Sequence, residues 1–248
     1  MTTPLPSPLT ESVAQLRDRI IATPELGGGR LVSLVWIGSA SRNVDLHEAS
    51  DIDLQVVLDR PDAAATAALA HAFQPHPGID LSVMYLSDIF GDDGRLVFQD
   101  GTKGAFFVHV LAGGVLLYGD DIYGAPAERL SLDIVRPSLS FTIREYLARL
   151  RVMVTLGSES VFAFKKYTLK LLRDVLAFTG DLSLADLAAT SNREIAARAI
   201  AAWPALAAAE LPDVATLTDL SRGLSDAEQH ALLESVELIV RRAVIATQ

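Results

Sequence analysis

Asp51 and Asp53 stand one residue apart in Ser50-Asp51-Ile52-Asp53-Leu54-Gln55-Val56-Val57-Leu58, the spacing that puts two carboxylates on one face of a β-strand. Side chains i and i+2 of a strand project to the same side, so the two acids point together while Ile52 and Leu54 turn towards the core. Such a pair suits magnesium, which takes oxygen ligands and shares its coordination between protein carboxylates and substrate phosphates. Upstream, Trp36-Ile37-Gly38-Ser39-Ala40-Ser41-Arg42 offers a turn of small residues through which backbone can approach phosphate. Asp80, in Ile79-Asp80-Leu81-Ser82-Val83-Met84-Tyr85, is expected on a neighbouring strand, bringing a third carboxylate to the same point. Three converging carboxylates hold two Mg2+ ions, and a metal pair stabilises both the attacking and the leaving oxygen of an in-line displacement. The plainer alternatives are a solvated strand face for Asp51 and Asp53, and ordinary turn chemistry at a strand start for Asp80.

The elements that must position these residues read as follows. Val13, Leu16, Ile20 and Ile21 recur at helical spacing over Thr10 to Thr23, with Thr10 as cap and Glu11 in the first turn. Gly27-Gly28-Gly29 is a turn; it is no P-loop, because no Gly-Lys-Ser/Thr follows and it precedes its strand. Strands are expected at Leu31 to Ile37, Asp51 to Leu58, Ile79 to Tyr85 and Val115 to Gly119, with an alanine-rich helix from Pro61 to about Phe73 and another over about Arg95 to Leu111. Beyond Ala125 strand signals stop, and helices are expected at Leu139 to Leu156, Ser160 to Phe178, Ser183 to Ala188, Ser191 to Ala202 and Ser225 to Ile245. The predicted class is α+β: a mixed β-sheet flanked by helices in residues 1–125, then a helical bundle in residues 126–248.

Composition narrows the setting. The 248 residues include no cysteine, which excludes disulfides and thiolate metal sites and favours a reducing, cytoplasmic location. The start of the chain lacks signal-peptide features, and no segment reaches membrane-spanning length, so no membrane partner is expected. Of the net charge of -10, residues 1–125 hold 16 acidic and 7 basic side chains, and residues 126–248 hold 15 and 14. An acidic surface around the motif repels a long nucleic acid and attracts a cationic small molecule; it is also an ordinary aid to solubility.

Gly38-Ser39, eleven residues, then Asp51-Ile52-Asp53-Leu54 resembles the signature of the polymerase-β-type nucleotidyltransferase superfamily. The resemblance implies transfer of a nucleoside monophosphate from an NTP, with Gly38, Ser39 and Arg42 at the triphosphate and two Mg2+ ions on Asp51, Asp53 and Asp80. Leu117-Tyr118-Gly119-Asp120 is similar to a segment that follows the catalytic sheet in bacterial members. Glu145-Tyr146-Leu147-Ala148-Arg149-Leu150-Arg151 and the stretch Leu224-Ser225-Asp226-Ala227-Glu228 resemble the aminoglycoside (kanamycin) nucleotidyltransferases. That likeness implies Glu145 as general base, Arg149 in place of a phosphate-binding lysine, and a homodimer completing each site. A guanidinium is not interchangeable with an ammonium, so the antibiotic substrate does not transfer with the likeness.

Glu145 and Arg149 also have the spacing of a helix-surface ion pair. Lys165 falls within the apolar stripe of Val161, Phe164, Leu171, Leu172, Val175 and Leu176, where it either snorkels, pairs with a buried carboxylate or faces an anion; it is a reserve phosphate ligand. His47, His71, His76, His109 and His230 are scattered without ligand spacing, and Trp36 and Trp203 read as core. The expected activity is transfer of AMP or another NMP from an NTP to a hydroxyl of a small polar acceptor lying between the two domains. Transfer to a protein or tRNA, and a non-catalytic nucleotide-binding module, are the alternatives.

Overall fold

The computed structural model describes residues 7–41, 52–73, 79–91, 104–157, 161–187, 190–203, 217–219 and 223–245. The chain divides into two compact units, residues 1–99 with 107–129 and residues 100–106 with 130–248. The class is α+β, with a four-stranded mixed sheet and helices.

In the first unit, α1 (Ser7–Ile21), β1 (Leu31–Ile37), α2 (Gly38–Ser41), β2 (Ile52–Leu58), α3 (Ala63–Phe73), β3 (Ile79–Tyr85), α4 (Leu86–Ile89), α5 (Gly104–Ala112, of the first unit from Phe107 on), β4 (Val115–Gly119) and α6 (Gly124–Arg129) follow in order. The sheet order is β3-β2-β1-β4. β1 runs antiparallel to β2 and β4, whereas β2 and β3 are parallel, so their connection must cross over, and α3 lies within it. Strand alternation sorts the core into two clusters. Ile52, Leu54, Val56 and Leu58 pack with Val13, Leu16 and Ile20 of α1 and with Ala65 and Leu69 of α3. Val35, Ile37 and Val57 pack with Ile89, Leu111 and Tyr123 in a separate cluster. A strand covered on both faces shows an almost continuous apolar run, which is how β1 and β2 read.

The second unit contributes α7 (Leu132–Leu156), α8 (Val161–Thr179), α9 (Asn192–Ala202), α10 (Asp226–Val240) and a closing π turn (Arg241–Ile245). α7 packs along α8, each burying a stripe: Leu139, Ile143, Leu147, Leu150 and Met153 on α7; Phe164, Leu171, Leu172, Val175 and Leu176 on α8. Ser191 accepts from the Glu194 amide to cap α9, and Ser225 with Glu228 forms a capping box on α10. Among the described residues no helix is long and apolar enough to cross a membrane.

Several expected boundaries change. Thr10 and Glu11 lie inside α1, which already runs from Ser7 and accommodates Pro8 in its first turn, where a missing N–H costs nothing. α7 begins at Leu132, seven residues before the expected start, and carries Pro137 within it. The expected helix at Ser183 is a turn over its described residues: Ser183 Oγ donates to Asp186 Oδ2 (2.7 Å) and accepts from the Asp186 amide, which closes the chain locally. Of the expected helix over Arg95 to Leu111, the described part runs from Gly104.

Candidate functional site

Ile37 pairs with Asp53 across β1 and β2, and Asp53 pairs with Asp80 across β2 and β3. Adjacent strands lie about 4.8 Å apart, and register partners share a face, so Asp53 and Asp80 are side-by-side carboxylates. Asp53 is half-buried and Asp80 exposed, whereas Ile52 and Leu54 are buried, as the alternation requires.

The chain leaves β1 at Gly38, whose φ of +85° favours glycine. A Cβ at this position would overlap the Asp53 carboxylate at Oδ2. The bare Cα therefore lets the α2 turn close over Asp53, and Ser41 Oγ secures that turn by donating to the Gly38 carbonyl at 2.8 Å. Two hard oxygen donors on adjacent strands, one of them packed against the bare Gly38 Cα, are of the type that a divalent cation takes. Among the described residues no group of three or more metal-ligating acids or histidines occurs. Asp51 and Arg42 lie outside the described residues; Ser39 is the second residue of α2.

Gln55, two residues beyond Asp53 on β2, is fully buried, and sequence reasoning did not single it out. Its Nε2 donates to the Ser82 carbonyl on β3 (3.2 Å) and to the Val56 carbonyl (3.3 Å), while its Oε1 is buried without a hydrogen-bond partner. The available signal was a lone amide in the apolar run Leu54-Gln55-Val56-Val57.

In the helical unit Glu145 and Arg149 form the helix-surface pair, with Arg149 Nη2 donating to Glu145 Oε1 at 3.2 Å. Arg149 Nη1 also donates to Tyr167 Oη (2.9 Å), and the guanidinium carbon sits 5.2 Å from the Tyr167 ring centre. Tyr167 lies 5.7 Å from Tyr146, ring to ring. Burial, and secondarily the neighbouring Asp174 carboxylate, push the Tyr146 phenol up to about 12. Asp174 is itself fully buried; it accepts from Thr142 Oγ1 (2.9 Å) and from Arg173 Nη2 (2.8 Å). Burial pushes its carboxyl up from the ordinary carboxylate range, opposed by Arg173 and Thr142. This buried acid was absent from the sequence reading because the α8 stripe was defined by its apolar members.

Lys165 is fully enclosed, and its Nζ donates to the Asp219 carbonyl at 2.7 Å. The cavity against α1, the Pro24–Leu26 turn and α3, about 780 Å3, is lined by Arg19, Glu25 and His71 and includes neither Asp53 nor Asp80. A second, of about 470 Å3, lies between the end of α7 and the start of α10. Neither carries the chemistry expected of the carboxylate strands. No protein-family model matches this chain, and no curated protein matches it either.

Proposed function

We propose that the chain is a Mg2+-dependent nucleotidyltransferase that moves a nucleoside monophosphate from an NTP to a hydroxyl of a small polar acceptor, releasing pyrophosphate. The observation that carries this reading is the lateral pairing of Asp53 with Asp80 next to the Gly38 turn. Asp53 and Asp80, with Asp51, would hold the metal, and Gly38, Ser39 and Arg42 would meet the triphosphate. Bound there, Mg2+ would neutralise phosphate charge and polarise the α-phosphorus. The likeness to the aminoglycoside nucleotidyltransferases implies that Glu145 would take the proton of the acceptor hydroxyl as its oxygen bonds to the α-phosphorus and the bond to the bridging oxygen breaks, releasing pyrophosphate. Arg149 offers further donors to phosphate oxygens. On this reading residues 1–125 form the catalytic domain, residues 126–248 the helical bundle, and the enzyme is cytoplasmic.

Titration calorimetry with ATP or GTP and Mg2+ tests the proposal. Binding that disappears in a protein carrying both Asp51→Asn and Asp53→Asn is expected; no NTP binding, or binding that these changes leave intact, overturns it. Labelled NTP then separates the outcomes: label on an aminoglycoside supports the small acceptor, label on protein or tRNA redirects the transfer, and binding without transfer indicates a nucleotide sensor.

A further inference from the structure

β3 is the outer strand of the four-stranded sheet, so among the described residues its backbone ladder has one neighbour, β2. The β2 to β3 ladder is also parallel, the pairing whose slanted hydrogen bonds hold slightly less per residue. Asp80 depends on this edge strand, paired with β2 along Ile79–Tyr85, for its place beside Asp53. A slip by one residue would turn Asp80 to the opposite face, and a slip by two would keep the face but carry the carboxylate along the strand by about 7 Å.

Gln55 and Ser82 are register partners one pleat beyond Asp53 and Asp80, and the Gln55 amide bonds directly to the Ser82 carbonyl. Gln55 therefore adds a side-chain bond between the two strands on the face of the carboxylate pair. It does so at a disadvantage to the fold, since its Oε1 stays buried without a partner where leucine or methionine would leave nothing unsatisfied. A buried amide with half its capacity unused is poorly explained by core stability alone. We propose that Gln55 is a positioning residue, stapling β3 to β2 so that Asp80 stays level with Asp53. Its connection with cation binding rests on the nucleotidyltransferase reading; the staple itself does not.

The test uses the full chain with Gln55→Leu, and with the unbranched Gln55→Met as a second variant should leucine fail to fold. Two readouts are taken: the Mg2+ concentration giving half-maximal ATP binding, and hydrogen exchange of the β3 amides relative to β1. The expected result is a melting temperature at or above the parent's, an Mg2+ requirement raised about tenfold, and exchange accelerated in residues 79–85 alone. A parent-like Mg2+ requirement in a variant of a protein that does bind Mg2+ and ATP overturns the positioning role while leaving the nucleotidyltransferase reading intact. If the parent binds no ATP, that reading falls, and exchange decides the staple: unchanged protection of β3 overturns it, and accelerated exchange confined to β3 upholds it.

Discussion

Asp53 and Asp80 lie directly alongside each other on parallel strands, a placement that sets two like charges laterally against one another. Like charges opposite each other destabilise a sheet. Asp80→Asn should therefore raise unfolding stability by about 0.5 kcal/mol in urea titrations without Mg2+. With Mg2+ and ATP present the order should reverse, because a ligand that binds only the native state stabilises it by mass action and the variant has lost the donor. A variant that gains as much from Mg2+ and ATP as the parent would count against the site.

Gly38→Ala should be costly on two counts. It places a Cβ at a φ of +85° and drives it into the Asp53 carboxylate. The backbone penalty alone is about 1–2 kcal/mol. Chemical denaturation should show at least that loss, together with weakened nucleotide binding.

Arg149 presents the opposite case. Its side chain is half exposed and its pair with Glu145 is four residues away on one helix, so Arg149→Ala should cost less than about 1 kcal/mol in stability. Labelled-NTP assays should nonetheless show a large loss of transfer, and Arg149→Lys should fail to restore it, since an ammonium cannot bond Tyr167 and a phosphate through a planar fork.

Within the helical unit the buried acid carries more weight for the fold. Asp174→Ala leaves Thr142 and Arg173 without their carboxylate partner, and breaking such a buried pair from one side costs about 3–5 kcal/mol. Denaturant titration should place this variant among the least stable in α8, below Lys170→Ala.

Tyr146 fixes a pH dependence. Its phenol ionises at about 12 in the native protein against an ordinary value of 10.0, so the folded state holds the proton to higher pH. The resulting stability is complete below pH 10 and is lost as pH rises from 10 to about 12. Tyr146→Phe should show a shallower decline across that window in unfolding experiments.

The strands were legible because their periodicity and turn residues agreed: β1, β3 and β4 match the expected spans, and β2 matches over its described residues, Ile52–Leu58. Apolar alternation also placed Asp53 on the side opposite Ile52 and Leu54. That Asp80 stands on the strand beside β2 was expected, but its exact partner there, Asp53, was not legible, because nothing local to Asp80 specifies which residue of β2 lies beside it. Gln55 and Asp174 escaped for a related reason. Each lies among apolar neighbours, and its significance comes from partners 27 and 32 residues away in sequence, Ser82 and Thr142. Pro137 hid the first turns of α7, since proline inside a helix removes a backbone donor and reads as a break.

The outer position of β3 has a separate consequence for handling the protein. Among the described residues β3 has a strand neighbour on one side only; an unpaired margin invites pairing with another molecule, and charged side chains are among the devices that discourage such association. Asp80 is an exposed charge on that margin, so neutralising it removes a guard against aggregation at the same time as a donor. Asp80 variants therefore call for light-scattering controls, because the carboxylate proposed as a metal donor also helps keep neighbouring molecules apart.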